Sequence, residues 1–327
     1  MTIRAFRRAF ALLASAVVLA STSGCGLFTS TEQASAPKPE RGTLRIGVLP
    51  SVDVAPLYLA RNEKLFADAG LQVELIVVND DNSAVQQLES QTLDIAFASH
   101  VTLLRAVHSG KELQLQGEAY QAARNTMALV TLADSDYDNP GEIQKPKIAV
   151  NRKDDLGTLT TESVLQTANV QKSNIKWTPM AFADMTAALS NKSVDAAWMM
   201  EPWITKAQRS LGARVLTDTA RGYTLDFPMS GYASSKKFAD SYPKTLAAFR
   251  NVLEKAQELG TNKLAVQEVL TEYAEVDAQT AGLVSVGTYP VSINPVRLQR
   301  VADMMETSQL LTSRLDVQQL LPPATVS

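Results

Sequence analysis

The stretch Val194-Asp195-Ala196-Ala197-Trp198-Met199-Met200-Glu201-Pro202-Trp203 decides how this chain is read. A short apolar run meets an acid, a proline and an aromatic with no spacer between them. That pattern is a buried strand whose carboxyl end empties into a polar, aromatic loop. Pro202 suits the first turn of a following helix, where its fixed φ and missing N–H are tolerated. In open α/β sheets, small ligands bind just outside the carboxyl ends of such strands.

The phrase has an earlier copy. Leu93-Asp94-Ile95-Ala96-Phe97-Ala98-Ser99-His100 aligns with Val194 to Glu201. Asp195 lies 101 residues after Asp94, and Leu189 lies 101 after Leu88. Each copy follows a helix-like segment, Ser83–Ser90 and Asp184–Ser190. One strand-and-loop device used twice implies two similar lobes, each offering a loop to a common cleft. Over the five-residue phrase alone, two unrelated βα units would read the same way.

A chain of 327 residues holds two ordinary domains or one large one. Hydrophobic content of 45% with 20% charged residues fits a globular protein with a sizeable core. The net charge of −3 offers nothing to nucleic acid. The N-terminus stands apart from that core. Arg4, Arg7 and Arg8 precede an apolar run from Ala9 to Ala20, then Ser21-Thr22-Ser23-Gly24 and the only cysteine, Cys25. This is the layout of a secretory signal over residues 1–24. Cys25 resembles a bacterial lipoprotein site, where the thiol is diacylated, although that pattern prefers Leu where Thr22 stands. Removal of residues 1–24 takes away three arginines and no acid, which leaves −6. Gly26–Arg41 lacks periodicity and reads as a tether, so residues 25–42 are an acylated Cys and a flexible leader.

Beyond it, strands alternate with helices, which predicts mostly parallel sheets. A first strand over Thr43–Leu49 leads through Pro50–Ala55 to a helix from Pro56 to Ala69, closed by Gly70. Strands over Gln72–Val78, Ile95–Ala98 and Leu113–Ala119 follow, and near Gln121 the chain crosses to a second lobe. There Thr126–Leu132, Lys147–Val150, Ile175–Met180, the opening stretch and Arg214–Thr217 read as strands. Arg221–Pro228 reads as the return, and Ser230–Ala233 as a strand back in the first lobe. The apolar stripes Leu246, Phe249, Leu253, Ala256 and Leu298, Val301, Ala302, Met305 predict packing helices, the second capped by Asn294 with Pro295 at its start.

Leu44–Leu49, Ala55–Ala60 with Leu65–Leu75, Leu93–Phe97, Val194–Trp203 and Gly212–Asp218 together resemble the substrate-binding proteins of ABC importers. The nearest set is the nitrate, sulfonate, taurine and thiamine-precursor group. The resemblance covers about residues 43–315. It implies a type II periplasmic-binding-protein fold, two α/β lobes joined by two crossing segments. Lobe 1 would be residues 43–121 plus 229–327, and lobe 2 residues 122–228. It further implies a monomer that closes around a small solute and docks on a permease with its ATPase, held to the outer face of the cell membrane through Cys25. No cofactor is expected.

By the resemblance, four strand-end loops face the cleft and supply Ser51 and Asp53, Ser99 and His100, Asn151 and Thr158, and Glu201 and Trp203. Tyr120 and Asp226 fall at the hinge. For Ser51, Ser99 and Thr158, helix capping competes with binding for the same hydroxyls. Glu201 reads either as a carboxylate at a helix N-terminus or as an acceptor for ligand N–H groups. His100 and His108 are the only histidines, too few and wrongly spaced for a metal site. Arg152, Lys153 and Arg124 would favour a sulfonate or nitrate. Asp53, Glu201 and Asp226 with tryptophan favour an aminated aromatic or a cationic amine, and the balance tips to the nitrogenous ligand. The alternatives are an enzyme on the same fold, of pyrimidine or menaquinone biosynthesis type, and a sensing partner of a membrane receptor. Against the enzyme stand the export signal and the lack of a nucleophile elbow, a metalloprotease helix or a phosphate-binding Gly loop.

Overall fold

In Thr43-Leu44-Arg45-Ile46-Gly47-Val48 every second side chain is apolar, and Leu44, Ile46 and Val48 are fully buried in strand β1 (Thr43–Val48). The computed structural model describes residues 38–323. The expected signal segment, Cys25 and most of the expected tether lie outside the described residues. A 3₁₀ turn at Val52–Val54 leads into α1 (Ala55–Asn62), with Pro56 in its first turn. The single helix expected over Pro56–Ala69 is broken. Lys64 takes a left-handed φ of 61° and a separate turn, α2 (Leu65–Asp68), follows. Gly70, with φ 73°, makes the expected left-handed exit.

Lobe 1 continues with β2 (Gln72–Val77), α3 (Asp81–Glu89), β3 (Ile95–Ser99), α4 (His100–His108) and β4 (Leu113–Gln121). The chain then enters lobe 2 with β5 (Met127–Thr131), β6 (Lys147–Val150), α5 (Leu156–Thr167), β7 (Lys176–Pro179), α6 (Phe182–Ser190), β8 (Ala196–Met200), α7 (Trp203–Leu211) and β9 (Arg214–Asp218). It returns through β10 (Pro228–Ser235) to α8 (Lys236–Ser241), α9 (Pro243–Leu259), α10 (Lys263–Tyr273), α11 (Ala278–Ala281) and α12 (Pro295–Thr307). Both predicted stripes on α9 and α12 are buried, and the Asn294 side chain accepts the Arg297 N–H at 3.1 Å as the cap of α12.

Two five-stranded sheets result, in the orders β2-β1-β3-β10-β4 and β7-β6-β8-β5-β9. In each, one strand runs against the rest: β10 is antiparallel to β3 and β4, and β5 to β8 and β9. These are the two strands that arrive from the other lobe, so the expected parallel arrangement is reversed only where the chain crosses over.

The internal repeat is structural. α6 and β8 occupy residues 101 positions beyond α3 and β3 at both ends. The repeated aspartate performs one task in both lobes. Asp94 Oδ2 accepts the Arg45 N–H of β1 at 2.8 Å, and Asp195 Oδ2 accepts the Lys147 N–H of β6 at 2.7 Å. Each carboxylate takes the amide one residue before the ladder between the neighbouring strands begins, at Ile46 in β1 and at Ile148 in β6.

The part of the expected tether that falls within the described residues is pinned. The Glu40 carboxylate accepts the N–H groups of Lys244 and Thr245 at the N-terminus of α9, at 3.0 and 2.7 Å. Arg41 pairs with Asp94 at 3.0 Å.

Candidate functional site

The carboxyl ends of β1, β3, β6 and β8 converge between the lobes. They enclose a cavity of about 30 Å³ that adjoins an open groove of about 1140 Å³, with Leu49, Asp81, Asn151, Asp155 and Phe182 lining both.

Three carboxylates face the enclosed part. Asp53, in the 3₁₀ turn after β1, is fully buried; its Oδ2 accepts from Ser230 Oγ at 2.6 Å, while Oδ1 has no partner. Burial pushes it up to about 6, against the opposing effect of the Ser230 hydroxyl. Asp81, the first residue of α3, accepts the Ser99 N–H at 2.8 Å. Burial, and then the negative charge of Asp155, push it up to about 7. Asp155 caps α5 in lobe 2, taking the Leu156 N–H at 2.8 Å, and reaches across to lobe 1. Its Oδ1 accepts from Ser99 Oγ at 2.9 Å and its Oδ2 from Thr102 Oγ1 at 2.7 Å. No Lys, Arg or His lines the enclosed cavity. Arg152, Lys206 and Arg209 line only the outer groove, where Trp203 stacks on Phe182 at 4.5 Å.

Of the sequence candidates, Asp53, Ser99 and Asn151 line the cavity, and Asn151 Oδ1 is buried there without a partner. Trp203 lies on the groove wall. The other four lie elsewhere. Ser51 is buried behind the 3₁₀ turn, its carbonyl held by the Tyr273 hydroxyl at 2.9 Å. His100 starts α4 but packs into lobe 1; a Cβ on Gly231 of β10 would stand 2.4 Å from its Cε1. Burial pushes the imidazole down to about 3. Thr158 completes the capping box of α5, donating to the Asp155 carbonyl at 2.9 Å and accepting the Asp155 N–H at 3.0 Å.

Glu201 is committed to the protein. Its carboxylate accepts from Thr205 Oγ1 at 2.9 Å, from Thr205 N–H at 3.2 Å and from Ser285 N–H, in the C-terminal part of the chain, at 3.0 Å. With both oxygens engaged and the residue 2% exposed, Glu201 lines neither the cavity nor the groove. Pro202 stands one residue earlier than expected, as the cap before α7 rather than its first residue. At the crossings, the Tyr120 hydroxyl accepts the Gly287 N–H, and Asp226 takes a left-handed φ of 51°.

Sequence reading missed Asp81 and Asp155. Asp81 sits in Asn79-Asp80-Asp81-Asn82, which reads as a turn, and either aspartate serves to start a helix. The structure gives the cap to Asp80 and the cleft to Asp81. Among the described residues no group of three His, Cys, Asp or Glu is placed to hold a metal ion.

Several solved structures share this architecture. The aliphatic sulphonate-binding protein SsuA from Escherichia coli is 18% identical, with 85% of this chain and 97% of that one covered at a TM-score of 0.70. The periplasmic nitrate-binding protein NrtA from Synechocystis is 16% identical, with 86% of both chains covered at 0.74. The zinc-bound ligand-binding component of an ABC-type import system from Staphylococcus aureus is 16% identical, with 87% and 97% covered at 0.75. At these identities the likeness is one of fold, and it makes this a type II periplasmic-binding-protein fold. No curated protein matches the sequence. The family described as NMT1/THI5-like matches residues 51–263, most of the chain, and to that family the protein belongs.

Proposed function

We propose that this protein is the extracytoplasmic solute-binding component of an ABC importer. It takes a small nitrogen-containing organic solute, a cationic amine or an aminated aromatic such as a pyrimidine, and hands it to a permease without turnover. The observation that carries this reading is the set of Asp53, Asp81 and Asp155 around a cavity with no basic side chain in its lining. Carboxylates and the Asn151 carbonyl oxygen are acceptors, so the complementary ligand donates hydrogen bonds or carries positive charge. Trp203 stacked on Phe182 offers an aromatic wall to a ring or a cation. In this reading Asp53, Ser99, Asn151 and Trp203 bind the solute together with Asp81. Residues 43–121 plus 229–327 and residues 122–228 move as two lobes about Tyr120 and Asp226. A monomer, held at the outer face of the membrane by acylated Cys25, presents the closed form to the permease.

Mass spectrometry of solute that co-purifies with the protein, followed by calorimetry with an aminopyrimidine, an alkylamine, taurine and nitrate, tests this. One amine ligand per chain is expected, and Asp53→Asn weakens it by about tenfold or more, the scale of one charge-assisted hydrogen bond. A co-purifying sulfonate or nitrate, held as tightly by Asp53→Asn as by the wild type, overturns it.

A further inference from the structure

The start of α4 is a donor site already filled by the protein's own anion. α4 runs for nine residues, and its first turn carries the hydroxyls of Ser99 and Thr102 beside amides that have no partner within the helix. The Ser99 N–H is taken by Asp81, and the Thr102 N–H by Ser99 Oγ at 3.0 Å. Both hydroxyls point at one carboxylate, that of Asp155, one to each oxygen. Asp155 is 1% exposed and belongs to the other lobe. Beside it only about 30 Å³ remains open, lined in part by the fully buried Asp53, whose Oδ1 has no partner. A free anion entering the cleft would have to expel Asp155 and then lie against Asp53 and Asp81.

We propose that Asp155 sets the charge selectivity of the cleft: its side chain occupies the anion position at the α4 N-terminus and so excludes nitrate and sulfonates. The inference rests on reading the cleft as a solute site, but its test needs no natural ligand. Once the Asp155 side chain is gone, the Ser99 and Thr102 hydroxyls lose their acceptor and can donate to an external oxyanion at the positive end of the helix dipole.

Calorimetry of the purified full-length protein with sodium nitrate and with sodium methanesulfonate reads this directly. Wild type shows no saturable uptake. Asp155→Gly, with glycine tolerated at a helix cap, gains saturable one-to-one binding of at least one of these anions. Adding Thr102→Val weakens that gain by tenfold or more. Asp154→Gly removes the same charge one residue away, at an exposed position with φ 57°, and gains nothing. Asp155→Ser, read the same way, replaces Asp155→Gly if the latter lacks a cooperative melt. A folded variant at position 155 that binds neither anion overturns the proposal. So does a gain that survives Thr102→Val, or one that appears equally in Asp154→Gly. Absence of amine binding by the wild type would defeat the functional reading and leave this result readable.

Discussion

Asp53 and Asp81 are acids held where water reaches them poorly, and that sets a pH dependence of known sign. Their values in the fold, about 6 and about 7, lie above the ordinary 3.8. Proton uptake therefore favours the folded state; this stabilisation is complete below about pH 4 and is lost as pH rises past 6 and 7. His100 opposes it. Its value is pushed down to about 3, so its neutral ring favours the fold above 6.5 and this is lost as pH falls toward 3. The acid term therefore shows in a comparison of variants. Asp81→Asn keeps an acceptor for the Ser99 N–H and removes the charge. Without ligand it should gain about 1–3 kcal/mol over wild type at pH 8, and that gain should shrink by pH 5 and vanish below about pH 4 in thermal melts. An alkylammonium ligand, whose partners are these same carboxylates, should bind about tenfold more tightly at pH 8 than at pH 5 by calorimetry. Asp53, Asn151 and Trp203 stand out in the sequence because each comes within a few residues of the carboxyl end of an apolar strand. Asp155 was not, since a polar loop of the form Asn151-Arg-Lys-Asp-Asp does not tell which acid crosses to the other lobe.

At the scale of elements, the copy of α3 and β3 as α6 and β8 was legible because burial imposes one pattern on both. The break between α1 and α2 was not, because a lysine, unlike a glycine or asparagine, does not mark the left-handed conformation that Lys64 takes. Glu201 shows the same divide. Its place after β8 was evident, but its engagement depends on Ser285, 84 residues away in sequence. The carboxylate ties the first turn of α7 to the segment after α11. Burial pushes its pKa above the usual carboxylate range. Glu201→Ala leaves the Ser285 N–H and the Thr205 hydroxyl without their acceptor. It should cost about 1–3 kcal/mol in urea denaturation while leaving the ligand class unchanged.

For the whole molecule, one buried apolar cluster runs from the first sheet into the second, and polar side-chain contacts bridge the two halves beside it. Ser99 and Thr102 grip Asp155, Lys206 Nζ reaches the Ala274 carbonyl at 3.2 Å, and Lys172 Nζ reaches that of Ser308 at 3.1 Å. Contacts of this kind form and part without unfolding either half, which is what hinge closure requires. The double variant Ser99→Ala, Thr102→Val should therefore show a larger radius of gyration than wild type in ligand-free small-angle scattering, with an unchanged far-ultraviolet dichroism spectrum.

The bonds of Glu40 and Arg41 to α9 and Asp94 fasten the start of the described chain to lobe 1. If the leader ends in lipid, as proposed, lobe 1 rides with the membrane and lobe 2 does the swinging. A permease would then meet one stationary face and one that arrives only when the solute is aboard.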